Sequence, residues 1–155
     1  ALLIEHGFRV SEIADLQVTA VDLAGGRITF YRRKVDMTQT HAFTPASRRA
    51  LTRWMQNDAL AIGPLLRGSR KNGRLTARGM GTRSIAVRVA ELAARAGIDE
   101  RVSPHDLRHD WATSAANGGT DAFALRDAGG WSSLAMPSRY VAASAVANER
   151  VTLRR

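Results

Sequence analysis

One segment of the chain places an imidazole and a guanidinium at the start of a helix, where they could bind a phosphate together. Ser103 followed by Pro104 is typical of an N-cap and a first helical position, which predicts a helix from here to about Asn117. His105 and Arg108 are three positions apart and share one face, near the positive end of the helix dipole. Phosphate binding suits this pair, although a solvated helix start with a capping histidine explains the same residues.

Four other residues have types that chemistry uses, and none of them is informative alone. Arg9 follows a glycine turn and precedes a short predicted helix, and Lys34 is one of only two lysines in the chain. Trp131 lies in a glycine-rich loop, where tryptophan usually anchors the loop to the core. Tyr140 follows nine positions later on a predicted helix. Taken singly, these residues are explained by solvation or packing.

Neither a metal nor a cofactor is predicted. His105 and His109 are four positions apart, a spacing that metal sites use, but no third ligand lies within sequence reach. The chain has no cysteine, which excludes a thiol nucleophile and a disulfide framework. No P-loop Gly-Lys-Ser/Thr motif occurs, so the sequence gives no sign of ATP binding.

The charge of the chain favours a polyanionic partner. Of its 155 residues, 23 are lysine or arginine and 14 are aspartate or glutamate, so the net charge is +9. The stretch between Asp58 and Glu91 contains no acid. Its seven bases are Arg67, Arg70, Lys71, Arg74, Arg78, Arg83 and Arg88. Clustered arginine is typical of nucleic-acid binding, although GC-rich coding produces the same excess. We expect Arg74, Arg78 and Arg83 to contact a DNA backbone.

Sequence patterns predict one mainly helical α+β domain with a small antiparallel sheet. The chain starts on apolar residues without a cap, which predicts a helix entered in its middle and a protein that continues N-terminally. Ser11 is predicted to cap a second, short helix that runs through Leu16. A β-hairpin with strands at 27–31 and 41–44 follows, with the polar stretch 32–40 as its loop.

Helices dominate the remaining residues. Apolar spacing, caps and glycines predict helices at about 46–58, 85–96, 104–117, 121–128 and 134–143. The glycine- and arginine-rich residues 63–81 are predicted as an exposed loop. The longest apolar runs are too short to cross a membrane and no signal peptide is visible, so we expect no membrane partner and a cytoplasmic location.

The order and spacing of these residues are more specific than any one of them. The residues that carry this pattern are Gly7-Phe8-Arg9-Val10-Ser11-Glu12-Ile13, Lys34 in a hairpin, Pro104-His105-Asp106-Leu107-Arg108-His109, Gly130-Trp131 and Arg139-Tyr140. In this order the chain resembles the catalytic domain of tyrosine recombinases, the phage integrase family, over nearly its whole length. The resemblance implies that residues 1–155 are such a domain, truncated at its N-terminus and lacking the family's N-terminal DNA-binding domain.

The resemblance also implies catalytic roles. Tyr140 would be the nucleophile, attacking a DNA phosphodiester to leave a 3′-phosphotyrosine and a free 5′-hydroxyl. Arg9 and Arg108 would bind the non-bridging phosphate oxygens. Lys34 would donate a proton to the leaving 5′-oxygen, although the neighbouring arginines leave its register open by a residue or two.

Four further positions match the family pattern. His105 would help to deprotonate the tyrosine or bind the phosphate. Trp131 would occupy the position that most relatives fill with histidine, and its indole can donate one hydrogen bond but accept no proton. Glu12 and His109 would support their neighbours in the site.

The implied chemistry needs no metal. Two guanidiniums and an imidazole can stabilise the negative charge that develops on the phosphate. Free tyrosine has a pKa of about 10, and we expect nearby cations to lower the pKa of Tyr140. The covalent intermediate retains the bond energy, so strands can be rejoined without ATP. Because Arg108 is expected on an exposed helix start, Arg108→Ala should abolish cleavage and spare the fold.

The expected partner is double-stranded DNA, and the resemblance implies a homotetramer on two duplexes for a full-length recombinase of bacterial or phage origin, associated with the nucleoid. The tail 144–155 would dock on a neighbouring subunit. Two alternatives remain open: a type IB topoisomerase, which has a related site and acts as a monomer, and a non-catalytic helical DNA-binding regulator.

Overall fold

The computed structural model describes residues 1–57 and 61–144, which form an α+β fold that is mainly helical, as the sequence predicts. The helices are α1 (Leu2–His6), α2 (Val10–Asp15), α3 (Pro45–Asn57), α4 (Thr82–Arg95), α5 (Pro104–Asn117), α6 (Ala122–Gly129) and α7 (Ala135–Ser144). The strands are β1 (Val21–Asp22), β2 (Arg27–Arg32), β3 (Met37–Ala42), β4 (Arg67–Ser69) and β5 (Leu75–Gly79). The predicted helix end at 58 and the tail 145–155 lie outside the described residues.

A three-stranded antiparallel sheet, β1-β2-β3, carries the predicted hairpin. The prediction that 32–40 forms its loop is wrong, because β2 and β3 remain paired as far as Arg32 and Met37 and only residues 33–36 turn. The returning strand therefore begins four residues before the predicted start at His41. One face of this hairpin is exposed, so its strands carry polar side chains that resemble a loop in composition.

The glycine- and arginine-rich residues 63–81 are not the predicted loop either. They contain β4 and β5, a second antiparallel pair in which Arg67 lies opposite Gly79. The pair is fixed to the domain through the backbone, since Leu65 N donates to Leu16 O over 2.8 Å. The side chains of both strands are exposed or half-buried, so neither strand needs an apolar face and the sequence shows no alternating pattern.

The predicted helix starts agree with the structure for α5 and α7 but not for α2. The predicted cap of α5 is confirmed, since Ser103 Oγ accepts from the amide of Asp106 while the Asp106 carboxylate accepts from the Ser103 amide at 2.8 Å. The first turn of α7 contains Pro137 as expected. The prediction that Ser11 caps α2 is wrong, because Arg9 is its N-cap and α2 begins at Val10.

The hydrophobic core lies between α1, α2, the three-stranded sheet, α3 and α4. Its buried side chains are Leu2, Leu3, Phe8, Ile13, Leu16, Val18, Ile28, Phe30, Leu51, Leu65 and Ile85. The last three helices pack on this core and bury Ala112, Ala116 and Leu125. Within 1–57 and 61–144, no helix has the length and apolar character needed to cross a membrane. The core therefore holds the N-terminal elements against α5, on which much of the candidate site is built.

Candidate active site

The turn that ends α6 is the point where arginines from three distant elements meet. Arg9 Nη2 donates to Gly130 O at 2.7 Å, and Arg108 Nη2 donates to Gly129 O at 2.7 Å. Arg32 Nη1 reaches the same Gly129 carbonyl at 3.0 Å. The last carbonyls of a helix have no partner within the helix, so they are natural acceptors for cationic donors.

Glycine is required at this turn. Gly130 has φ 61°, and a Cβ there would lie 2.4 Å from Arg32 Cδ. A Cβ on Gly129 would lie 1.9 Å from the Trp131 ring. Both approaches are far inside van der Waals contact, so only glycine lets the arginine and the tryptophan close on the turn.

The carboxylate of Glu12 holds two of the arginines in place. Its oxygens accept from Arg9 Nη1 at 2.8 Å and from Arg32 Nη1 at 2.9 and 3.0 Å. Glu12 is buried, and it also accepts from the Arg9 amide at 2.8 Å as part of the cap of α2. With Arg108, the cluster therefore contains three guanidiniums and one carboxylate, so it carries an excess of positive charge.

Arg108 is buried, which corrects the expectation of an exposed helix start. Only 6% of the residue is exposed, and its guanidinium donates to the carbonyls of Gly7 and Gly129. Its Cζ lies 4.3 Å from the centre of the Trp131 ring, within cation–π distance. Burial, together with the charges of Arg9 and Arg32, lowers the pKa of Arg108 to about 10, so it is still protonated at pH 7.

Trp131 and Tyr140 lie beside the arginines. The Trp131 ring stacks on Trp111 with centroids 6.2 Å apart and lies 6.1 Å from the Tyr140 ring. The expectation that nearby cations lower the pKa of Tyr140 is wrong. Burial raises its pKa, and this effect outweighs the opposing influence of Arg108.

A hydrogen-bonded pair of histidines reaches the tyrosine. Tyr140 Oη lies 2.6 Å from His109 Nδ1, and His109 Nε2 lies 3.0 Å from His105 Nε2. His105 is exposed, whereas His109 is partly buried between it and Tyr140. The two histidines at metal-like spacing therefore bind each other, and the one in contact with the tyrosine is His109.

Lys34 lies at the edge of the site. It is exposed on the turn between β2 and β3, and with Gly130, Trp131 and Ser132 it lines a cavity of about 220 Å³. The structure thus brings Arg9, Lys34, His105, Arg108, Trp131 and Tyr140 to one region, from segments as far as 131 positions apart.

The three arginines predicted to bind DNA lie apart from this cluster. Arg74 lies in the turn of the β4–β5 hairpin, Arg78 on β5 and Arg83 in the first turn of α4, and all three are exposed. Among the described residues of the acid-free stretch, only Arg88 forms an ion pair, with Glu91. Arg74, Arg78 and Arg83 thus present their charges to solvent on the β4–β5 hairpin and the start of α4.

Sequence reasoning missed Arg32, which is completely buried and belongs to the site's framework. Besides Glu12 and Gly129, its guanidinium donates to Ala128 O at 2.7 Å and to Gln39 Oε1. A signal was available: on a strand, residues two apart face the same side. Arg32 follows the buried Ile28 and Phe30 in this alternation, which places it inward.

Comparison with known proteins identifies the relatives of this chain. The model of the phage integrase family matches residues 1–146. The type 1 fimbriae regulatory protein FimE of Escherichia coli (strain K12) is 32% identical over 155 residues, covering 93% of this chain and 72% of FimE.

Solved structures show the same architecture. The XerA recombinase has a TM-score of 0.75 at 25% identity, covering 90% of this chain and 50% of XerA. The Tn1549 transposon integrase, solved in complex with transposon right end DNA, has a TM-score of 0.69 at 18% identity, covering 90% of this chain and 51% of that protein. The chain spans about half the length of these two proteins.

These matches define the class of protein as a DNA recombinase enzyme. The chain belongs to the phage integrase family, whose curated members include tyrosine recombinases.

Proposed function

We propose that residues 1–155 form the catalytic domain of a site-specific recombinase that cleaves and rejoins DNA through a 3′-phosphotyrosine on Tyr140. The observation that carries this proposal is the convergence of Arg9 and Arg108 on the turn Gly129–Gly130, with Tyr140 close by. A tyrosine beside fixed guanidiniums suits attack on a phosphodiester, because the negative charge that develops meets preorganised donors.

The two guanidiniums bind the non-bridging phosphate oxygens. A guanidinium has five N–H donors, and the described residues accept two from each side chain, at Glu12 and Gly130 for Arg9 and at Gly7 and Gly129 for Arg108. The hydrogen bonds to Glu12 and the main-chain carbonyls fix each guanidinium in place. The N–H groups that have no acceptor among the described residues are therefore held in a fixed position, where they can bind phosphate oxygens. Because repulsion from Arg9 and Arg32 helps to lower the pKa of Arg108, a bound anion would relieve that repulsion.

Lys34 assists the departure of the 5′-oxygen. It is exposed on the turn between β2 and β3 and lines the cavity that Trp131 also lines. An ammonium there can protonate the departing 5′-oxygen, a contribution of about 10²–10⁴-fold for general acids. Trp131 supplies packing against Arg108 and one N–H donor, but no proton acceptor.

Double-stranded DNA is the proposed partner. The Tn1549 integrase of the same fold was solved with DNA, and this chain has a net charge of +9. Arg74, Arg78 and Arg83 extend the cationic surface beyond the site and would contact the backbone, which gives a strongly salt-dependent affinity. The full-length protein would act as a homotetramer on two duplexes in the cytoplasm, and no cofactor is required for its reaction.

Covalent capture tests this function. The chain is incubated with nicked duplexes that carry a randomised central segment, and the DNA that remains attached after denaturation is sequenced. We expect an adduct from the unmodified chain and none from Tyr140→Phe. An adduct that survives this substitution would exclude Tyr140 as the nucleophile.

The same preparation separates the alternatives. DNA binding without any adduct would favour a non-catalytic regulator. Relaxation of supercoiled plasmid without sequence preference would favour a topoisomerase. Enrichment of one sequence in the captured pool supports a site-specific recombinase and identifies its target.

A further inference from the structure

Two histidines connect Tyr140, the proposed nucleophile, to solvent. Tyr140 Oη lies 2.6 Å from His109 Nδ1, and His109 Nε2 lies 3.0 Å from His105 Nε2. His109 is partly buried and His105 is exposed, so the series runs from the interior of the site to its surface. The two imidazoles are also in edge-to-face contact, with centroids 4.5 Å apart.

One set of tautomers satisfies both hydrogen bonds. The Tyr140 hydroxyl donates to His109 Nδ1, which must then carry a lone pair and leaves the proton on Nε2. That Nε2–H donates to His105 Nε2, whose own proton lies on Nδ1. All donors in the series then point outward, away from Tyr140.

We propose that His109 is the catalytic base that accepts the phenolic proton of Tyr140 and that His105 receives a proton from His109 in turn. This role presupposes the proposed function. As the bond from Tyr140 Oη to phosphorus forms, the hydroxyl proton moves to His109 Nδ1 and the Nε2 proton of His109 moves to His105 Nε2. His105 becomes the imidazolium. The bond from phosphorus to the 5′-oxygen breaks, and that oxygen takes its proton from Lys34.

The surroundings of Tyr140 make a base necessary. Burial raises the pKa of the phenol, so the hydroxyl does not ionise by itself at neutral pH. Trp131, the aromatic neighbour of Tyr140, cannot accept a proton. His109 is the described residue that hydrogen-bonds the hydroxyl.

Charged groups around the series favour the transfer. Arg108 faces Tyr140 and stabilises the phenolate that forms. The Asp106 carboxylate on α5 interacts electrostatically with both His105 and His109, so a negative charge lies beside the pair. The positive charge therefore ends at the solvent-exposed histidine, beside a carboxylate and away from the interior arginines.

Substitution at His109 separates proton transfer from positioning. His109→Asn retains an acceptor oxygen close to the place of Nδ1 but cannot take up a proton, whereas His109→Ala removes both properties. We expect both variants to form the covalent adduct about 10²-fold or more slowly than the unmodified chain in single turnover. Imidazole added to His109→Ala should restore the rate in proportion to its concentration.

Controls keep the outcomes distinct. Equal thermal unfolding of the variants and the unmodified chain shows that the fold is retained, and Tyr140→Phe with imidazole should form no adduct. A His109→Asn variant as fast as the unmodified chain would overturn the role of His109 as base. If the unmodified chain itself forms no adduct, the proposed function fails instead, so the two failures are distinguishable.

Discussion

Arg108, the proposed phosphate-binding residue, also supports the fold. A guanidinium that is buried and donates to two main-chain carbonyls leaves those carbonyls without a partner when it is removed. The same group lies against the Trp131 ring. At the scale of single residues, the same guanidinium therefore serves the candidate site and stabilises the surrounding main chain.

Arg108→Ala should lower both activity and stability. An unpaired buried acceptor costs about 1–3 kcal/mol, so we expect a loss of this size in the free energy of unfolding, together with loss of the covalent adduct. Urea unfolding followed by circular dichroism measures the first quantity. An unchanged unfolding midpoint would show that the Gly7 and Gly129 carbonyls find other partners.

Arg32 offers a sharper comparison because its neighbour is a matched control. Arg32→Met leaves the buried Glu12 carboxylate with one guanidinium fewer, and breaking such a buried pair costs about 3–5 kcal/mol. Arg33→Met removes only an exposed ion pair with Asp15, which contributes little. Chemical denaturation of both variants should show a large shift for Arg32→Met alone, and similar shifts in the two would contradict the assigned role of Arg32.

At the scale of elements, the sequence predicted helices better than hairpins. The α5 cap was visible because Ser103 and Asp106 form a local pattern. The β4–β5 pair was missed because its pairing depends on backbone hydrogen bonds between residues that carry no alternation. Arg9 and Tyr140 could be singled out by their place in the family pattern, but the burial of Arg108 and the partner of Tyr140 depend on how helices pack, which no local pattern encodes.

The turn after α6 provides a prediction at this scale. Gly130→Ala places a methyl group in a left-handed conformation and 2.4 Å from Arg32, so it should destabilise the protein and slow cleavage. Gly26→Ala is the control, since Gly26 has φ 67° with nothing within 4 Å of the added Cβ and pays only the backbone strain of about 1 kcal/mol. Thermal unfolding of the two variants compares them, and an equal loss in both would show that Arg32 moves aside freely.

At the scale of the whole molecule, the buried His6 and the partly buried His41 connect stability with pH. His41 packs against Phe8, Phe30 and His6, and within the described residues its Nε2 has no hydrogen-bond partner. Burial, together with the charges of Arg32 and His6, lowers the pKa of His41 to about 4. Burial also lowers the pKa of His6. Both rings are therefore neutral in the folded protein at neutral pH.

Acid should destabilise the fold through His41. The unfolded chain takes up a proton near pH 6.5 while the folded protein does not until about pH 4. Stability is therefore complete above pH 6.5 and falls as the pH drops towards 4, by about 3 kcal/mol at most from this group. In His41→Phe, the free energy of unfolding should change less between pH 6.5 and pH 4. Urea unfolding at a series of pH values measures this dependence. A variant as acid-sensitive as the unmodified chain would assign the loss to other groups.

The guanidinium of Arg9 and the carbonyl of Gly130 that it contacts are 121 positions apart. During synthesis, Arg9 leaves the ribosome long before the turn at Gly130 that orients it, and Tyr140 follows later still. In an incomplete or partly unfolded chain, the arginine side chains of the site are therefore solvated and do not form a pocket. If the protein cleaves DNA as proposed, an incomplete chain could not do so before α6 and α7 pack on α5.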